Sequence, residues 1–432
     1  MSGTEIDATV PSNSAGIADI TVTNPQGTSS TAPADRYLYA APSRDQPLAP
    51  SRICDTRSYA GNPGEAGCIG KTLTPGGVLT VPVAGYGGIP AKGATAAVLN
   101  LTVTDTTTAG YLTVYPQGGT QPLASSLNWH RGQTVANLVT APLGPAGTIE
   151  VQSPFGDADV VIDVEGYDAA LSGTAGLYDA LSPFRICDTR TSQATNPCTG
   201  EAPASGTSLS VQVAGKAGVP ASVVEAAVLN VTAIDAATSG FLTVYPAGNT
   251  RPEASNVNYG PGQIVANRVV VQVGTGGQVT IFSNNGAPQI AVDVTGYYTA
   301  STNGSATGAQ FSPTGSPARI CDTRSSQPSN PCTAKTLAAG GTLVVAVGGE
   351  EGVPADATAV VVNVTAVGST TGGYLTVFPT GMSRPVVSDL NFGPGDTVAN
   401  MVVATLGPGG SFGVYNARGS TNVVIDLVGW YA

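Results

Sequence analysis

Short runs rich in Val, Ile, Thr and Tyr alternate along this chain with clusters of Gly, Pro, Asn and Ser, and no run shows helical spacing of its apolar positions. One well-marked stretch places such runs at 208–214, 226–234, 240–246, 265–273, 278–283 and 289–298. Turn-forming sequences such as Gly274-Thr275-Gly276-Gly277 and Asn284-Asn285-Gly286 bound them, because Gly and Asn accept backbone angles that other residues resist. The pattern predicts antiparallel strands joined by tight turns. A parallel sheet would need helical crossovers, for which no segment is available.

The runs recur in triplicate. Arg-Ile-Cys-Asp-Thr-Arg stands at 52–57, 185–190 and 319–324. Ala-Val-Leu-Asn-Leu-Thr at 97–102 returns in variant form at 227–232 and 360–365, and Tyr-Leu-Thr-Val-Tyr-Pro at 111–116 returns at 241–246 and 374–379. Val-Ala-Asn recurs at 135–137, 265–267 and 398–400, and Val-Ile-Asp-Val at 161–164 has counterparts at 291–294 and 424–427. Five blocks in constant order define three related units of about 130 residues, too long for solenoid repeats that need stacked neighbours. The expected architecture is all-β: three tandem antiparallel β-sandwich domains, jelly-roll or Ig-like, at 43–170, 171–300 and 301–432, after a segment at 1–42. The units are expected to sit like beads on a string, joined by Ser-, Thr- and Gly-rich linkers at Ala169–Ala175 and Ala300–Ala309. A propeller built from half-units is the less natural arrangement.

Composition narrows the function. A length of 432 residues fits about three domains. With 56 Gly, 32 Pro and only 10% charged residues, coiled coils and long solvent-facing helices are excluded, while 41% hydrophobic residues suffice for real cores. The net charge of −11 and the lack of any Lys/Arg cluster argue against nucleic acid as a partner. No apolar run approaches the roughly 18 residues of a membrane span. Met1-Ser2-Gly3 opens with neither a basic nor an apolar region, so the start is expected to be artificial or internal to something longer.

Cysteines fall two per repeat: Cys54 with Cys68, Cys187 with Cys198, Cys321 with Cys332. The segments between them carry turn chemistry (Asn62-Pro63-Gly64, Asn196-Pro197, Asn330-Pro331). One disulfide per repeat is expected, closing a short loop worth on the order of 3 kcal/mol. A zinc site would want closer spacing and further ligands, and the single histidine, His130, belongs to one repeat only. No metal and no cofactor are expected. Disulfides persist in oxidising compartments, so the chain is expected to be secreted or at a cell surface.

The strongest polar constellation is Arg52, Asp55, Arg57 and Asp163, repeated as Arg185, Asp188, Arg190 and Asp293, and as Arg319, Asp322, Arg324 and Asp426. Asp163 lies inside an apolar strand, where a lone carboxylate is costly; the Arg fork satisfies it. An Arg–Asp clamp tying the disulfide loop to the last strand is the structural reading, and a ligand site is its rival. Two Arg beside each carboxylate disfavour calcium. Tyr115, Tyr245 and Phe378 are equivalent positions, as are Trp129, Tyr259 and Phe392. Rings that interchange this freely read as core fillers, with a sugar-stacking platform as the alternative. Asn100, Asn230 and Asn363 head glycosylation sequons but sit within strands, where they are expected to hydrogen-bond. Asn137, Asn267 and Asn400 are expected to satisfy backbone groups after Gly-rich turns.

Nothing points to catalysis. His130 aligns with Gly260 and Gly393, and no nucleophile elbow, zinc-protease motif or phosphate loop occurs. The pair Asp157 and Asp159, a conceivable glycosidase pair, reads as a hairpin tip. A non-enzyme is expected.

The repeat, with Gly-Val-Pro-Ala at 218–221 and Val-Asp-Val-Thr-Gly-Tyr at 292–297, resembles a tandem repeat of secreted, multi-domain surface proteins from high-GC Gram-positive bacteria. That resemblance implies location rather than activity. Residues 4–41, through Ile6–Pro11, Gly16–Thr23 and Asp35–Tyr39, resemble the second half of a TIG/IPT immunoglobulin-like domain. A half-domain exposes strand edges, so it is either a truncated piece or a strand donor able to build filaments. The resulting expectation is a structural or adhesive surface protein whose partners are other copies of itself or other surface proteins. The alternative is a multivalent binder of cell-wall or extracellular glycans, or the targeting appendage of a cell-wall hydrolase.

Overall fold

The computed structural model describes residues 16–19, 21–30, 36–39, 43–58, 67–169, 176–193, 196–299, 308–327 and 331–432. Most of both linkers, the stretch Ile6–Pro11, Asn62-Pro63-Gly64 and Asn330 lie outside the described residues. In the N-terminal segment β1 (Gly16–Asp19) pairs with β4 (Arg36–Tyr39), and β2 (Thr23–Asn24) with β3 (Gly27–Thr28).

Each repeat contributes eight strands. Repeat 1 has β5 (Arg44–Asp55), β6 (Gly77–Pro82), β7 (Ala94–Thr104), β8 (Gly110–Pro116), β9 (Leu127–Trp129), β10 (Val135–Pro142), β11 (Thr148–Ser153) and β12 (Asp159–Ala169). They form two four-stranded antiparallel sheets, ordered β10-β7-β12-β5 and β6-β11-β8-β9. Repeat 2 follows the same order with β13 (Tyr178–Asp188), β14 (Thr207–Gln212), β15 (Val224–Ile234), β16 (Gly240–Pro246), β17 (Val257–Tyr259), β18 (Ile264–Gln272), β19 (Gln278–Ser283) and β20 (Gln289–Thr299). Repeat 3 does so with β21 (Phe311–Asp322), β22 (Thr342–Ala346), β23 (Ala359–Val367), β24 (Gly373–Pro379), β25 (Leu390–Phe392), β26 (Thr397–Thr405), β27 (Ser411–Asn416) and β28 (Asn422–Tyr431).

The six four-stranded sheets stand as two blades per repeat in a propeller-like arrangement, and one sheet of each repeat, β10-β7-β12-β5 and its counterparts, lines a common centre. This overturns the expectation of three tandem β-sandwich domains strung as beads. The physical reason lies in β7, β15 and β23, whose residues are buried almost without a break. Side chains alternate between the faces of a strand. Leu99 and Leu101 enter the core of their own repeat, whereas Val98 enters a second cluster. That central cluster draws on all three repeats, including Leu138, Val228, Val270, Val361, Met401 and Val403. A free-standing bead would have left this second face to water.

The closing glycine of each repeat lets the entry strand lie close. A Cβ on Gly296 would stand 2.1 Å from the Tyr178 hydroxyl, and one on Gly429 2.6 Å from the Phe311 ring. At this end the entry strands also meet one another: Ser43 bridges to Phe311 and Tyr178 to Ala309.

Candidate functional site

The three expected disulfides are present: Cys54–Cys68, Cys187–Cys198 and Cys321–Cys332. They fit an oxidising, extracellular-type environment, and among the described residues no helix is long and apolar enough to cross a membrane.

The Arg–Asp quartets assemble in every repeat. Arg52 Nε donates to Asp163 Oδ1 over 2.9 Å, while Arg57 bonds Asp55 at 2.9 and 2.7 Å. Arg185 joins Asp293 and Asp188, and Arg319 joins Asp426 and Asp322, with Arg190 and Arg324 closing on Asp188 and Asp322. Burial raises the carboxyls of Asp163, Asp293 and Asp426 against the opposing pull of their arginines, the last two to about 6. For Asp55, Asp188 and Asp322 burial acts in the same sense, but bonds from Arg57, Arg190 and Arg324 outweigh it and hold them low. The quartets also reach across repeats, since Arg319 Nη2 donates to the Leu123 carbonyl over 2.7 Å.

The aromatic positions do not form an exposed platform. Tyr115, Trp129, Tyr245, Tyr259 and Phe392 are buried and Phe378 is half-buried; Trp129, Tyr259 and Phe392 belong to the repeat cores.

The asparagines lock the repeats together. Asn100 Nδ2 donates to the Ser255 carbonyl (2.6 Å), Asn230 to Ser388 (2.7 Å) and Asn363 to Ser125 (2.5 Å). A chain of bonds from repeat 1 to 2, from 2 to 3 and from 3 back to 1 is a closed ring. The Val-Ala-Asn asparagines satisfy backbone groups in their own repeat, donating to the Ser126, Asn256 and Asp389 carbonyls, and also in the neighbouring one: Asn267 Oδ1 accepts from Leu138 N, Asn400 Oδ1 from Arg268 N and Asn137 Oδ1 from Met401 N.

Sequence reasoning missed the side chains that make these three junctions unlike one another. Glu165, Thr295 and Val428 are equivalent positions, as are Ser126, Asn256 and Asp389, and Leu138, Arg268 and Met401. Between repeats 1 and 2, Glu165 accepts from Asn256 Nδ2 and from Val270 N; burial pushes its carboxyl up to about 8. Between repeats 2 and 3, the fully buried Arg268 pairs with Asp389 at 3.1 Å and donates to Thr295 and the Met401 carbonyl. Where the entry strands meet, Asp45 faces Asp168 across the β5–β12 ladder, and Tyr431 donates to Asp45 over 3.3 Å. Burial raises both acids, Asp45 to about 6, and the nearby Asp45 carboxyl pushes Asp168 up further. The available signal was a charged residue in an apolar run whose counterparts in the other repeats are uncharged.

At the opposite end of the ring a cleft of about 1200 Å³ opens between repeats 2 and 3. Its floor is the triplicated motif, Val135-Ala136, Val265-Ala266 and Val398-Ala399, and above it stand Gln133, Gln263 and Asp396, again equivalent positions. His130 of repeat 1 reaches Asp396 of repeat 3 at 3.2 Å. Phe184, Ile264 and Val386 line the walls as exposed apolar side chains. Lys216, Arg384 and Arg418 are exposed at the rim, where Arg384 lies over the Tyr415 ring at 4.1 Å.

No protein-family model matches this sequence, and no curated protein matches it either. Among solved structures, the chain aligns with one described as the triple jelly roll fold and turret assembly in an archaeal virus, at 10% identity and a TM-score of 0.17, covering 91% of this chain and 90% of that one. A second, the atomic structure of Sulfolobus turreted icosahedral virus, aligns at 10% identity and a TM-score of 0.16 over 97% and 90% of the two chains. Scores this low transfer neither fold nor function.

Proposed function

We propose that this chain is an extracellular, non-enzymatic structural and adhesive protein, a stiff body that presents one contact end to surface partners. The observation that carries this reading is the closed ring of asparagine bonds from each repeat to the next. Three repeats sealed on one another and stapled internally by disulfides transmit load as one piece. The resemblance to repeats of secreted surface proteins in high-GC Gram-positive bacteria supports the same reading.

The test is sedimentation of the purified chain with isolated cell-wall material from such bacteria, together with prolonged incubation. Co-sedimentation without release of soluble sugar or peptide is expected. Soluble products, or a chain that stays in the supernatant, would overturn the reading. Strand donation by residues 1–42 is a separate part of it: equal masses in equilibrium ultracentrifugation for the full chain and a version lacking 1–42 would remove it.

A further inference from the structure

We infer that the cleft between repeats 2 and 3 binds a linear acidic glycan, one carrying carboxylate or phosphate groups along its length. This deepens the adhesive reading and rests on it. In a chain with net charge −11, the cleft lining holds Arg185, Arg190, Lys216, Arg384 and Arg418 with a single carboxylate, Asp396. Arg185 and Arg190 are committed to Asp293 and Asp188. Lys216, Arg384 and Arg418 have no acidic partner among the described residues, and all three are exposed. Cations collected in a concave site of an otherwise acidic molecule focus anions there, and the planar fork of Arg suits carboxylate and phosphate.

The walls add the second half of the chemistry. Phe184 is 58% exposed, and Tyr374 is half-buried against the cleft. These rings offer flat apolar faces of the kind that pack on the apolar side of a sugar. At about 1200 Å³ the cleft exceeds the roughly 300–1,000 Å³ of small-molecule sites, so it has room for several linked units.

An acidic peptide is the less suitable occupant. Peptide strands are held mainly by unpaired backbone groups at a sheet edge, and the edges reaching the cleft serve this poorly. Strand β25 is three residues long, β13 carries Pro183 and a register break between Ala180 and Phe184, and the edge strands β10, β18 and β26 bring only their first residues to the lining. Recognition therefore falls to side chains.

The experiment is calorimetric titration of the full chain with a hexamer of galacturonic acid, its methyl-esterified neutral form, an oligomer of polyglycerol phosphate and poly-glutamate. One or both of the first and third probes should bind, and which one does distinguishes carboxylate from phosphate as the recognised group. The ester should bind at least about tenfold more weakly, the worth of one lost charge-assisted contact. Arg384→Ala combined with Arg418→Ala should weaken binding of the anionic probe by about tenfold or more at unchanged melting temperature. Val386→Asp, which adds a negative charge at the rim, should act in the same direction. Equal binding of ester and acid, indifference to these variants, or poly-glutamate binding as tightly as the sugars would overturn the inference. Failure of both anionic glycans to bind while the chain still sediments with cell walls would overturn this inference and leave the adhesive reading standing; loss of sedimentation as well would remove both.

Discussion

Asn137 of repeat 1 donates to Asn363 Oδ1 of repeat 3 over 3.0 Å, joining two residues 226 positions apart in the chain. The same bond runs from Asn267 to Asn100 and from Asn400 to Asn230. Each member of the Val-Ala-Asn triplet therefore holds a sequon asparagine of a neighbouring repeat, and the six amides form a buried polar belt around the centre. Buried amides are tolerable only when their bonds are complete, and these compete with no solvent.

Asn267→Ala tests the belt. The substitution strands Leu138 N, the Asn256 carbonyl and Asn100 Oδ1, all of which Asn267 now satisfies. At about 1–3 kcal/mol for each of the three buried groups left unpaired, a loss of roughly 3–9 kcal/mol is expected in chemical denaturation. A change below about 1 kcal/mol would mean that water replaces the amide and the belt is not a lock.

The Arg268–Asp389 pair makes a sharper prediction, because its counterparts at the other two junctions are Leu138 with Asn256 and Met401 with Ser126. Arg268→Met alone leaves Asp389 buried without its cation, and should cost about 3–5 kcal/mol. The double variant Arg268→Met/Asp389→Ser copies the Met401 and Ser126 chemistry of the junction between repeats 3 and 1, and should recover most of that loss. A double-mutant cycle measures the coupling directly. Additive losses would show that the pair does not act as a unit.

The repeats, their order, the disulfides and the quartets were legible because each is written three times. Asp163 had to find an arginine, and Arg52 recurs beside a cysteine that fixes where it lies. The closed ring was not legible, because it depends on what the second face of β7, β15 and β23 touches. Val98 and Leu99 look alike in sequence, yet one serves the central cluster and the other its own core. Glu165 and Arg268 carried the signal, since a charge within an apolar strand must meet something. With Thr, Val, Leu and Met at equivalent positions, the partner could not lie within the repeat.

Stability should fall as pH rises from about 5 to 8.5. Burial raises Glu165 to about 8 and Asp45, Asp293 and Asp426 to about 6. Each has a folded-state value above its unfolded one, so the folded chain binds more protons. That contribution is complete below the unfolded values near 4 and is lost as pH rises through 6 and then 8. Asp55, Asp188 and Asp322 are lowered and act in reverse, protecting the fold above about pH 4 and losing that effect in stronger acid. Maximum stability is therefore expected near pH 4–5. Urea midpoints at pH 5 and 8.5 check it, and Glu165→Gln should flatten the slope above pH 6 by up to one proton, about 1.4 kcal/mol per pH unit. A wild-type midpoint that rises across this range would contradict the assignment.

An isolated repeat should not behave as a soluble, folded monomer. Residues 171–300 expressed alone would keep the Cys187–Cys198 bond, the Arg185–Asp293 clamp and a complete internal core. They would also uncover Ala226, Val228, Val270 and Tyr298, which now pack in the central cluster, and would leave Arg268 without Asp389. An apolar face of that kind around an unpaired cation favours association over solution as a monomer. The repeat should sediment as oligomers or precipitate, whereas the chain from 43 to 432 should unfold in a single cooperative transition by calorimetry. Three separable transitions in the long chain, or a monodisperse 171–300 monomer as resistant to heat as the whole, would restore the beads and dissolve the ring. The difference rests on geometry: each repeat can build one core alone, but the second core exists only where all three meet.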